Sequence, residues 1–432
     1  MRRLTPGATL LAVLLTGPVL AQPADRFAAL ETRMQALEAE AAAMRQQAEA
    51  AQAALAEARA EIDALKQAQS EAVAVEPMTQ AAEAPVADAG AGASSSANAF
   101  NPALSVVLDG QVAHHSLDPA GYARSGFPLV GEGGPSAQGI SLGESEMTLS
   151  ASVDDKFYGQ LTVAVESEDG EDGIGIEEAF VDTTALPNGL TLRVGRFFSN
   201  IGYLNSHHAH TDRFSDRPLA YQALLGNQYG DDGVQLRWVA PTDLFVELGG
   251  EVLRGQGFPA GGAGRGGAGT HTAFFHIGGD FGSESEWLVG LAAVDAQVEG
   301  GEDGFTGRNR LAIADATWKW APQGNFKDGG VTLRGEVIVE HRDGDYVDAA
   351  DPTLDQPWDG RRAGAYIEAV YRINRQWETG YRFDRLWADD DGPYASDFDP
   401  HRHSVMVSWM NSEFSLLRLQ YAQDTPNPDA DD

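Results

Sequence analysis

Three imidazoles crowd one short stretch of the chain, at His207, His208 and His210, and a carboxylate follows at Asp212. Imidazole nitrogen and carboxylate oxygen are the donors that Zn2+ and other borderline divalent cations prefer. On an extended segment alternate side chains share a side, so His208 and His210 converge and the four residues form a candidate zinc site. The same residues also fit a solvated polar loop. His114 with His115, and His401 with His403, are sparser versions of the motif. No GxSxG elbow, HExxH pair or Gly-rich phosphate loop occurs, and with Cys 0 the chain has no thiol nucleophile, thiolate metal site or disulfide. No enzyme and no required cofactor are expected.

The elements that must position these residues read as strands. From Asn101 onward apolar residues recur with a period of two: Phe157, Leu161, Val163 and Val165 alternate with Tyr158, Gln160 and Thr162. Leu190, Leu192 and Val194 do the same, as do Val331, Leu333, Val337 and Val339. Many runs are nearer ten residues than the usual five or six, the length that crosses a bilayer at a tilt. Fifteen strands are expected, at 103–114, 141–153, 156–167, 174–185, 189–199, 231–240, 244–256, 269–281, 285–298, 307–320, 331–343, 358–373, 376–388, 400–410 and 414–424. Their links alternate between short turns, such as Asp154-Asp155 and Asn374-Arg375, and long Gly- and Asp-rich loops. The exception is 321–330, too long for its place. Sorted turns and loops mark an antiparallel transmembrane barrel with periplasmic turns and outer loops. Bacterial barrels have even strand counts, so the design reads as about 16 strands with the last one missing. The His-rich stretch falls in the long link 200–230, where Asp216 ahead of Pro218 and Gly226 bracket a short helix over Leu219–Leu225.

In such a barrel the polar parity faces inward, because a charge in hydrocarbon is costly. The pore lining is then Glu144, Glu146, Glu178, Asp182, Glu247, Glu251, Glu336, Glu340, Glu368 and Asp384, facing Arg193, Arg237, Arg334, Arg372 and Arg382. The carboxylate excess predicts a preference for cations. A net charge of -34 also argues against nucleic acid as a partner.

Ahead of the strands lie three unlike pieces. Met1-Arg2-Arg3, the apolar run Leu10–Leu15 and Val19-Leu20-Ala21 read as a signal peptide over 1–21. From 25 to 69 Phe27, Met34, Ala41, Ala48, Leu55 and Ile62 share one heptad position and Leu30, Leu37, Met44, Ala51, Ala58 and Leu65 another, the seam of a coiled coil in the periplasm. Residues 70–100 are an Ala-, Ser-, Gly- and Pro-rich linker, 101–424 the barrel, and 425–432 a tail or the start of a further loop.

The segment VGRFFSNIGYLNSHHAHTDRFSDRPLAYQALLGNQYGDDGVQLRWVAPTDLFVELGGE resembles a family of proteobacterial outer-membrane proteins in the porin superfamily, related to phosphate-selective porins. Some members carry the label zinc-regulated TonB-dependent outer membrane receptor. The resemblance implies a porin-like barrel and points to His207, His208 and His210 for zinc. Two features depart from it: a TonB-dependent receptor has a plug domain and a barrel of about 22 strands, and phosphate selectivity calls for a basic lumen. The expected function is a porin-like channel in the bacterial outer membrane, trimeric through the coiled coil, among lipid and lipopolysaccharide. A metal-uptake receptor with an energy-coupling partner and a tether to the cell wall are the alternatives.

Overall fold

The computed structural model describes residues 102–168, 171–262, 267–301, 303–347, 355–389 and 393–428, all within the compact unit Ala93–Asp432. The signal peptide, coiled coil and linker lie outside the described residues. Among the described residues seventeen strands follow one another: β1 (Ala103–Val107), β2 (Gly110–Ala113), β3 (Gly139–Leu142), β4 (Ser145–Ser152), β5 (Phe157–Glu168), β6 (Glu171–Thr183), β7 (Leu190–Phe198), β8 (Gly230–Val239) and β9 (Phe245–Leu253) make the first half. The second half comprises β10 (Thr270–Phe281), β11 (Ser285–Val298), β12 (Phe305–Trp320), β13 (Gly330–Tyr346), β14 (Gln356–Arg372), β15 (Trp377–Ala388), β16 (His401–Ser412) and β17 (Ser415–Thr425). One 15-stranded antiparallel sheet runs in the order β1-β4 and then sequentially to β17, and β2 pairs with β3 in a separate ribbon. Among the described residues no ladder joins β17 to β1, and no helix is long and apolar enough to cross a membrane.

The first two expected strands are each interrupted. Asp109 accepts from the Gly143 amide at 3.0 Å and donates its own amide to Ser145 Oγ at 3.0 Å, and a Cβ on Gly143 would fall on the Asp109 carboxylate. The crossing at Gly143 splits 103–114 and 141–153 into a pair inside the sheet and a pair beyond it. It also frees Glu144 from either ladder.

The sheet's two faces differ in chemistry. One carries Leu104, Val106, Met147, Val181, Val194, Leu236, Leu248, Leu291, Val339, Ile367, Val405 and Leu419, all exposed. The other buries Glu146, Thr162, Glu178, Asp182, Gln235, Glu251, Asp315, Glu336, Arg382 and Ser404. A soluble sheet would hide the first set and wet the second. The short turns are fixed by their own side chains: Asp154 Oδ1 accepts from the amides of Lys156 at 2.7 Å and Phe157 at 2.9 Å, and Asn374 Oδ1 serves Gln376 and Trp377 alike. The long 321–330 link is compacted by a 3-10 turn, Pro322–Gly324, with Gly324 at φ 73°. Beside these turns the exposed-face aromatics stack in pairs, Trp377 on Trp409 with centroids 6.3 Å apart and Phe281 on Trp287 at 5.9 Å.

Candidate functional site: a loop folded into the concave face

The link between β7 and β8 does not extend away from the sheet. Its neck is closed by Asn205, whose Nδ2 donates to the carbonyls of Ser199 at 2.7 Å and Tyr229 at 2.8 Å while its Oδ1 accepts from the Tyr229 amide at 2.8 Å. Beyond that neck the loop touches strands from both halves of the sheet. Asn200 donates to Glu251 on β9 and Leu219 to Asp384 on β15. Arg213 pairs with Glu378 on β15, and Gln420 on β17 donates to Asp216. A single loop can reach β4, β9, β13 and β17 only if the sheet curls around it. At one rim Tyr122 donates to Asp424 at 2.8 Å and Ser125 to the Pro426 carbonyl at 2.9 Å, so the β2–β3 connection spans toward the β17 edge.

The expected helix is present as α1 (Leu219–Leu224), with all of its residues buried. It packs with Ile313, Ile338, Tyr366 and Leu386, and it passes close over Gly364, where a Cβ would meet Ala220 Cα at 2.9 Å. Asp216 does not cap it. Pro218 holds that position with no side-chain cap, and Asp216 is instead drawn to Arg382 at 3.0 Å and Arg402 at 2.6 Å. Burial would raise the Asp216 carboxyl, but the two guanidinium groups outweigh it and hold it below its ordinary range.

Glu336 is the main anchor on β13. Its carboxylate accepts from the amides of Tyr203 at 3.1 Å and Leu204 at 3.2 Å and from the hydroxyls of Tyr221 at 2.8 Å and Tyr366 at 2.6 Å. The preceding Gly202 has φ 84°, and a Cβ there would lie 2.7 Å from Glu336 Oε2. Glycine therefore lets the carboxylate seat in a nest of backbone donors.

Of the four candidate metal residues the structure brings two together. His208 Nδ1 lies 3.0 Å from Glu146 and 3.3 Å from Glu177, its Nε2 lies 3.0 Å from Glu178, and His210 Nδ1 lies 2.8 Å from Glu146. Burial opposes charge on His208, yet the three surrounding carboxylates prevail and raise its imidazole to about 12. Glu144, freed by the strand break, is pushed up to about 9 by burial and by Glu177 beside it. His207 and Asp212 are elsewhere. His207 stays open to solvent on one side; it stacks on Tyr203 with centroids 4.6 Å apart and bonds its carbonyl at 2.7 Å, and partial desolvation of the ring lowers its pKa. Asp212 pairs with Arg217 at 2.9 Å inside the loop. These two are turned away because His208 opens a 3-10 turn, Ala209–Thr211, so the segment is not the uniform strand that simple alternation assumes.

Glu177 and Glu178 reach the site from consecutive positions because β6 bulges. The register with β5 shifts at Thr162 and Val163, where Glu178 pairs with Thr162 and Ile176 with Val163. A bulge re-aims one side chain without breaking the strand. The sequence carried a signal for it: outward apolar parity changes between Ile174 and Ile176 on one side and Ala179 and Val181 on the other.

The remaining inward residues form mostly paired networks. Asp182 bonds Arg193 at 2.8 Å, Glu247 meets His276 at 3.0 Å, Glu368 holds Arg334 at 3.0 Å, and Arg372 reaches Glu378 at 3.0 Å. Arg237 lies more loosely, 3.8 Å from Glu247. Glu340 bridges Arg342 at 3.0 Å and Arg362 at 2.7 Å, and Asp384 bonds Arg382 at 2.9 Å. Arg342, Arg362, Arg402 and Arg418 also face inward and are absent from the expected lining, as are the carboxylates of Asp315, Glu378 and Asp424, so an acidic excess remains but is smaller than two to one. Arginine gathers on β13–β17, whereas β4–β9 are mainly acidic.

The fold and site define a curled antiparallel meander, apolar outside and polar within, whose β7–β8 loop narrows the interior. No family model matches the chain. A protein of Aquifex aeolicus (strain VF5) described as uncharacterized is 26% identical over 358 residues, 75% of this chain and 74% of the relative. Among solved structures, an anion-selective porin from Comamonas acidovorans is similar with TM-score 0.47 and 13% identity over 75% of this chain and 90% of that one. The trimer form of in-vitro folded OmpT, an outer membrane protein of Vibrio cholerae, gives 0.44 and 14% over 68% and 86%. The outer membrane channel DcaP of Acinetobacter baumannii gives 0.43 and 11% over 67% and 82%.

Proposed function

We propose that this chain is an outer-membrane channel through which small hydrophilic solutes diffuse, with the β7–β8 loop as its constriction. The reading rests on the inverted polarity of the sheet: apolar side chains cover the exposed face from β1 to β17, while charged residues crowd the concave one. Hydrocarbon outside and water inside is the environment that stabilises both faces at once. An acidic wall opposite an arginine-rich wall sets a transverse field that aligns polar solutes and slows apolar ones. The remaining carboxylate excess gives a weak preference for cations. The heptads of residues 25–69 supply the means to assemble a homotrimer, with lipopolysaccharide around its outer rim.

Full-length protein reconstituted in a planar bilayer tests this reading. Stepwise conductance with a reversal potential of cation-selective sign in asymmetric salt is expected. A folded, inserted protein that passes no current overturns the channel, and an anion-selective sign overturns the assigned charge balance.

A further inference from the structure

We propose that Glu146, Glu177, His208 and His210 form a binding site for a divalent transition cation, which staples the inward loop to the wall made by β4 and β6. One donor atom each from Glu146, His208 and His210 lies within 4.8 Å of the others, and Glu144, Glu146 and Glu177 form an overlapping group of the same size. The individual spacings are tighter. Glu146 sits 3.0 Å from His208 Nδ1 and 2.8 Å from His210 Nδ1, and Glu177 sits 3.3 Å from His208 Nδ1. Ligands about 2.0–2.1 Å from a shared ion stand roughly 3.0–3.4 Å apart at the edges of its coordination polyhedron. A cation therefore needs small rotations of side chains already gathered, and it takes the place of the proton on the His208 imidazole.

Two further observations point to an ion. His208 Nδ1 and Glu177 Oε2 are both buried and face each other without a well-aligned hydrogen bond, the arrangement that a bridging cation would satisfy. The opposite ring nitrogen, Nε2, lies 3.0 Å from Glu178, whose same oxygen accepts from Gln160 Nε2 at 3.0 Å. A carboxylate behind a ligating imidazole fixes its tautomer and orientation, and Gln160 holds that carboxylate in turn. Phe198 sets its ring edge-on to His208, with centroids 5.2 Å apart. Glu178 is thus a positioning residue and the other four are ligands.

The donor set identifies the class of ion. Two imidazoles disfavour Ca2+ and Mg2+, which take oxygen ligands, and the absence of sulfur disfavours Cu(I). Zn2+, Co2+ and neighbouring first-row dications remain. The site stands apart from the channel reading, because binding is measured without transport.

Full-length protein in detergent, titrated with Co2+ and followed by its visible absorption, should bind one equivalent that Zn2+ displaces. His208→Ala, His210→Ala and Glu177→Gln should each weaken binding at least tenfold, and His207→Ala should leave it unchanged. Glu178→Gln should weaken it less and alter the Co2+ spectrum. Should the histidine variants fail to fold, Glu177→Gln, which preserves side-chain shape, decides the question. Absence of saturable Co2+ or Zn2+ binding by the folded wild type overturns the proposal. So does unchanged affinity in folded Glu177→Gln and in either histidine variant that folds.

Discussion

Replacing Glu336 with alanine should release the inward-folded β7–β8 loop while leaving the strand ladder in place. The carboxylate serves two loop amides and two tyrosine hydroxyls, and Tyr221 and Tyr366 are both buried. A hydrogen bond to a charged group is worth about 1.5–3 kcal/mol, and the four are not additive because they share one acceptor. Loss of the group also leaves buried donors unsatisfied, so the loop should become easier to open by about 3–4 kcal/mol. At about 1.4 kcal/mol per factor of ten, amides that exchange through this opening should exchange roughly two to three orders of magnitude faster. Hydrogen exchange followed by mass spectrometry on peptides spanning 199–229 is the direct assay, with β10–β11 peptides as the internal reference. Glu336→Gln retains an acceptor oxygen and should lie between. Wild-type protection of the loop in a folded Glu336→Ala protein would refute the anchoring argument, whatever happens to conductance.

Gly202→Ala should act on the same anchor from the other side, destabilising by more than about 1 kcal/mol in chemical denaturation, because φ 84° and the nearby Glu336 oxygen both exclude a Cβ. Val339→Arg, on the exposed apolar face, should impair insertion into bilayers by about 2–4 kcal/mol at mid-depth, whereas Ser150→Arg, on the concave face, should insert normally; equal insertion of both would contradict the assigned faces. In metal-free protein the two neighbouring histidines should titrate in opposite senses by NMR. His208, raised to about 12, should still carry its proton at neutral pH; its stabilising contribution is complete below the unfolded pKa of about 6.5 and fades as pH rises through the folded value. His207, lowered by partial desolvation, should be neutral there and should favour the fold slightly above about pH 6.5, losing that small contribution as pH falls; matching titration curves for the two would contradict both environments.

The strands were legible because a period of two survives wherever one face meets an apolar environment and the other a polar one, as Val337 and Val339 opposite Glu336 and Glu340 show. Interruptions were less legible, although their traces were present. Gly143 between two alternating runs marked the crossing that splits the first hairpin, and the parity change after Ile176 marked the bulge that turns Glu177 inward. The candidate site depended on both, since it draws on Glu146 and Glu144 beside the crossing and on Glu177 and Glu178 at the bulge. Local spacing named His208 and His210 but could not exclude His207 or Asp212, because their directions are set by partners distant in sequence or by the turn at Ala209. Asp212 follows Arg217, and His207 follows the ring of Tyr203. The helix at Leu219 was readable from its flanking residues, yet Asp216 serves Arg382 and Arg402 rather than the helix, since two buried guanidinium groups attract a carboxylate more strongly than an open amide does. What sequence spacing proposes at this site, the curvature of the sheet therefore decides: it sets β6 and β4 on one side of the loop and β15 and β16 on the other, so that His208 and His210 turn to the carboxylates of the first and Asp216 to the guanidinium groups of the second.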